Sequence, residues 1–204
     1  MKKILASLFC FWMSASLYAQ IDTAFYRAQN DSLRQASDAE FADPNHSPLT
    51  EDDLDVFHGL PYFPFNPKFV VEARFEATPD EKPFLMPTST SRLPQYVKHG
   101  HLYFAIDENE YRLSVYRNID LSKKAGYENY LFIPFNDSTN GFESYGGGRY
   151  MDIQGPLGDT VIFDFNRAYN PYFAYNSRYS CPIPPQENNL PVRIEAGVLS
   201  WGEH

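Results

Sequence analysis

Beyond residue 70 the apolar residues recur at every second position, in short runs bounded by turn-forming residues. Val71, Ala73 and Phe75 alternate with Glu72, Arg74 and Glu76; Leu102, Phe104 and Ile106 repeat the pattern, as do Tyr111, Leu113 and Val115. Side chains on a strand point alternately to its two faces, so this period marks half-buried strands and excludes helix over the same stretches. Met151 with Ile153, then Val161, Phe163 and Phe165, and finally Val192, Ile194 and Ala196 extend the series. Tyr130 to Phe135 is continuously apolar, as expected of a strand covered on both faces. Glu108-Asn109-Glu110 joins two runs as a hairpin, and Asn140-Gly141 carries the strongest two-residue hairpin signal. Thr78 to Pro94 reads as a polar, proline-bearing loop.

About seven short strands with no βα alternation predict a mainly β, antiparallel fold: a β-sandwich or a partly open β-barrel with an N-terminal helix. That helix is expected over Ile21 to Phe41, capped by Asp22 or Thr23 and ended by Pro44, with Phe25, Leu33, Ala36 and Phe41 on its packing face. Asn45 to Pro67, rich in proline and aromatics, reads as irregular chain wrapped over the core.

Residues 1–19 have the form of a secretory signal peptide: Lys2 and Lys3, an uncharged apolar stretch, and Ala19 at the cut. Cys10 follows the bulky Phe9 too early in that stretch for a lipidation site. Residues 20–204 then form one domain, expected in the periplasm or secreted. The formal charge of −9 becomes −11 without the two lysines, which excludes a nucleic-acid binder. No later run of 18 apolar residues predicts a membrane span. Cys181 alone remains, so no internal disulfide is expected.

Between Tyr130 and Cys181 the aromatics concentrate together with several long motifs. These are Gly147-Gly148-Arg149-Tyr150, Asp164-Phe165-Asn166-Arg167-Ala168-Tyr169-Asn170-Pro171, and then Cys181-Pro182-Ile183-Pro184-Pro185-Gln186-Glu187-Asn188. With Ser47-Pro48-Leu49 and Gly59-Leu60-Pro61-Tyr62-Phe63, they resemble the DUF1684 family of bacterial and archaeal proteins over nearly the whole mature chain. The resemblance implies no activity. The sequence departs from the family pattern at Phe173, where a cysteine often stands, and at Val198, where a glutamate does.

In the strand Thr160 to Asn166, Ile162, Asp164 and Asn166 share a face, and a buried carboxylate there needs a partner. Arg149 is the expected one, with Tyr169, Asn170 and Glu187 completing a polar cluster beside Tyr145, Tyr150 and Tyr172. The cluster reads either as a pocket for a small molecule or glycan, or as a buried network pinning a proline-rich loop. Glu143 and Asp164 form a candidate carboxylate pair for glycan hydrolysis. Gly146-Gly147-Gly148 lacks the Gly-Lys-Ser/Thr ending of a phosphate loop and reads as a turn. His99 and His101 have no evident third ligand, so no metal or cofactor is expected. Cys181 has no histidine nearby in sequence and reads as a small buried hydrophobe. The expected function is a non-enzymatic binding or envelope-associated module; a glycan hydrolase and a purely structural domain are the alternatives.

Overall fold

The computed structural model describes residues 21–202; the expected signal peptide and Cys10 lie outside them. Helices α1 (Thr23–Ala42) and α2 (Glu51–Asp55) precede seven strands: β1 (Val70–Ala77), β2 (Phe84–Leu85), β3 (Gln95–Ile106), β4 (Asn109–Asn118), β5 (Tyr130–Phe135), β6 (Arg149–Gln154) and β7 (Thr160–Asp164). They form one antiparallel sheet in the order β6-β5-β4-β3-β1-β7, with β2 along β3. The sheet curls into a half-barrel, the second of the two expected architectures.

The alternation dictates two unlike faces. Leu102, Phe104, Leu113, Val115, Leu131, Ile133 and Phe163 fill the main core. Tyr96, Tyr116, Phe132 and Tyr150 cluster on the opposite face with Met86. A β-bulge between Lys98 and Gly100 lets β3 serve both: it reverses the alternation, so Tyr96 and Leu102, an even number of residues apart, point to opposite sides. Gly100 is required there, since a Cβ would lie 2.4 Å from the Phe75 ring and 2.5 Å from the Glu76 carbonyl oxygen. The β3–β4 hairpin is tighter than expected. Ile106 pairs with Asn109 across Asp107-Glu108, and Asp107 takes a φ of 53°, as the mirror-image turn demands.

Two expected elements differ. Asn140-Gly141 does lie between two paired strands, β5 and β6, but as one turn inside the long connection from Phe135 to Arg149 rather than as a two-residue hairpin turn. Val192 to Ala196 keeps the alternation, with Ile194 and Ala196 buried and Arg193 and Glu195 exposed, but forms no strand, because a side chain takes the carbonyls of Ile194 and Ala196.

Helix α1 is capped by Asp22, whose carboxylate accepts from the backbone N–H groups of Ala24 and Phe25 at 3.1 Å each. Its packing face is more polar than expected: Phe25, Leu33 and Ala36 are exposed, whereas Asn30 and Phe41 are buried. Among the described residues neither amide atom of Asn30 has a hydrogen-bond partner. A buried amide left unpaired costs its full desolvation, and leucine has nearly its shape. Asn30→Leu should therefore stabilise the protein by about 1–2 kcal/mol, read as a raised urea midpoint; an unchanged or lowered midpoint would mean that the amide is paired or hydrated in solution.

Candidate functional site

Across β5 and β6, Phe132 stands opposite Asp152 and Pro134 opposite Tyr150, all on the face away from the main core. Phe132, Tyr150 and Asp152 floor a pocket of about 720 Å³, walled by α1 and the segment that follows β7. The aromatic rings meet mostly edge to face: Phe132 and Tyr150 at 4.7 Å, Tyr150 and Tyr169 at 5.8 Å. Tyr169 is placed by its backbone, which exchanges two hydrogen bonds with Tyr150 at 2.8 and 3.0 Å.

Asp152 is the polar centre. The Tyr130 hydroxyl donates to its Oδ1 at 2.6 Å and the Tyr169 hydroxyl to its Oδ2 at 2.8 Å. The carboxylate stays open to the pocket. Crowding by protein atoms pushes its pKa up, and the two hydroxyl donors oppose that rise. Burial, and then the Asp152 charge, raise the pKa of both Tyr130 and Tyr169, so the phenols remain donors. Among the described residues no cationic nitrogen lies within 4.0 Å of Asp152. Cys181 contributes a half-buried thiol to the wall, its pKa raised by burial.

The structure divides the expected cluster. Tyr150, Tyr169, Asn166, Asn170 and Tyr172 line the pocket. Arg149 does not, because the residue before Tyr150 must point to the other face. It is fully buried and pairs with Asp137 at 2.5 Å, correcting the expected Arg149–Asp164 pair. It also donates to the carbonyls of Ala196 and Ile194, the latter at 2.8 Å. Asp164 caps a 3-10 turn, Phe165–Arg167, accepting from the Asn166 backbone at 2.9 Å and its amide at 2.8 Å; burial raises its pKa. Asn166 in turn holds the backbone of Asn66 through bonds of 2.8 and 2.9 Å. Asn170 donates to the Leu199 carbonyl at 2.9 Å.

Glu187 lies away from the pocket, accepting from Tyr116 at 2.6 Å and Lys98 at 3.0 Å; burial opposes ionisation, but these donors bring its pKa down. Tyr145 packs against a separate cluster containing Phe41 and Tyr175. Glu143 is on the surface, bound to Arg193, and neither it nor Asp164 lines the pocket, so the expected carboxylate pair is not assembled there. Gly148 (φ 91°) lets the backbone pass where a Cβ would lie 2.6 Å from both Asn136 and Pro184, in keeping with a turn. His99 stacks on Phe75, and His101 is 3.1 Å from the Ser114 hydroxyl. Among the described residues no three metal-ligating side chains converge, and no helix is long and apolar enough to cross a membrane.

Sequence reasoning passed over Tyr130 and Asp152. The signal was present: Asp152 is two residues from Tyr150 and shares its face.

A family model described as "Protein of unknown function (DUF1684)" matches residues 55–199. The solution NMR structure of an uncharacterised protein from Haloarcula marismortui is similar, with 33% identity, a TM-score of 0.69, and coverage of 90% of this chain and 98% of that one. No curated protein matches the sequence. The matched span runs from the end of α2 through the entire sheet and the pocket segment, and on that basis the chain belongs to the DUF1684 family.

Proposed function

We propose that this protein is exported to the periplasm or beyond, and there holds a small molecule or short glycan without transforming it. The aromatic pocket carries the reading. At about 720 Å³ it has the size of a small-molecule site, mostly apolar walls, and one oriented carboxylate at Asp152. Export rests on Lys2, Lys3 and the apolar stretch after them.

The test is native mass spectrometry of the mature protein purified from its own host. A small molecule should be retained by the wild type. Tyr169→Ala should bind that molecule at least about tenfold more weakly, with the melting temperature little changed, because the ring lines the pocket while the backbone pairing with Tyr150 survives. A protein that retains nothing, and binds nothing from a small-molecule library, would instead be the structural domain.

A further inference from the structure

Asp152 is an open carboxylate with two hydroxyl donors and no cation beside it among the described residues. Two donors favour the ionised form, and an ionised carboxylate in a crowded pocket attracts a counter-charge. The arginines on the pocket wall do not supply it at contact distance. Arg34 lies over the Tyr62 ring at 4.5 Å and donates to the Phe63 carbonyl at 2.9 Å, and its charge faces Asp31, Asp38 and Asp164. Arg167 is exposed and acts on Asp152 only at longer range.

The remaining surroundings accept positive charge. Phe132, Tyr96, Tyr150 and Tyr169 line the pocket, and aromatic rings attract cations to their electron-rich faces. Both nearest hydroxyls are already directed into the carboxylate, so they do not compete as donors toward a ligand. At the mouth, Glu40 adds a second carboxylate, hydrogen-bonded by the Tyr172 hydroxyl at 3.1 Å.

The geometry points to an organic cation as the ligand: an ammonium or amino group that completes the Tyr130–Asp152–Tyr169 arrangement against the aromatic floor. This rests on the binding reading above and narrows it to a chemical class.

The experiment titrates matched pairs of cation and uncharged counterpart into the mature protein, followed by calorimetry and by the tyrosine ring signals in NMR. The pairs are choline with 3,3-dimethylbutan-1-ol, benzylamine with benzyl alcohol, and glucosamine with glucose. At least one cation should bind ten or more times more tightly than its neutral partner. Asp152→Asn should abolish that preference while keeping the fold, because the side chain is open to solvent and the amide preserves its shape. Tyr169→Phe, which removes one donor and leaves the ring, should weaken the preference without erasing it. Equal binding of every pair, or a preference that survives Asp152→Asn, overturns the inference while leaving the binding reading intact. Failure of all six compounds to bind overturns the inference, and the retained-molecule measurement then decides the binding reading separately.

Discussion

Arg149→Met should lower stability by about 3–5 kcal/mol, the range found when one partner of a buried ion pair is removed. Against a typical total of about 5–15 kcal/mol for a domain, that is a large fraction. The guanidinium is fully buried, and its removal strands three acceptors at once: the Asp137 carboxylate and the carbonyls of Ile194 and Ala196. The Phe135 and Phe63 rings packed beside it offer nothing in exchange. Adding Asp137→Asn should restore part of the loss. The amide oxygen still accepts from the backbone N–H groups of Thr139 and Ile194, but the uncompensated charge is gone. The check is the urea midpoint of the wild type, the single variant and the double variant. A single variant within about 1 kcal/mol of wild type, the net value of one ordinary hydrogen bond, would show that the pair contributes little.

Asn188→Ala should cost at least about 3 kcal/mol, for a reason found in the sheet itself. Strand β5 contains Pro134 and is held to β4 in register at the single pair Tyr116–Phe132. The Asn188 side chain fills the gap. Its Oδ1 accepts from the Ser114 N–H at 2.7 Å, and its Nδ2 donates to the Ser114 carbonyl at 2.9 Å and the Pro134 carbonyl at 2.7 Å. One amide thus serves three buried main-chain groups, each worth about 1–3 kcal/mol if left unpaired. Asn188→Asp separates this account from simple packing. It keeps the shape but turns a donor into a charged oxygen facing two carbonyls, so it should destabilise at least as much as alanine. A well-tolerated aspartate would show that the donor role is dispensable.

The sequence made the strands legible wherever one face is buried and the other is not. The β3–β4 hairpin and the doubly covered β5 follow from period and run length alone. Val192 to Ala196 has the same period but is no strand, since its carbonyls are occupied by the Arg149 side chain, a partner no local pattern encodes. The packing face of α1 was not legible either: Asn30 is buried and Leu33 exposed, and Arg27 and Arg34 meet the domain by lying over the Phe65 and Tyr62 rings, contacts that apolar periodicity does not register. In the site, the aromatic wall at Tyr150 and Tyr169 was readable from composition. The partner of Arg149 was not, because Asp137 and Asp164 are equally plausible by type, and strand alternation alone places Arg149 on the core side. That same alternation, followed two residues further, reaches Asp152.

The β4–β5 seam also sets the order in which the protein is able to assemble. The amide at 188 and the carbonyls at 194 and 196 all follow the last strand in sequence, yet they fasten β4, β5 and β6. A polypeptide emerging from the ribosome lacks these fasteners until it has been made through residue 196, well after every strand of the sheet, and long-range closure of this kind slows folding.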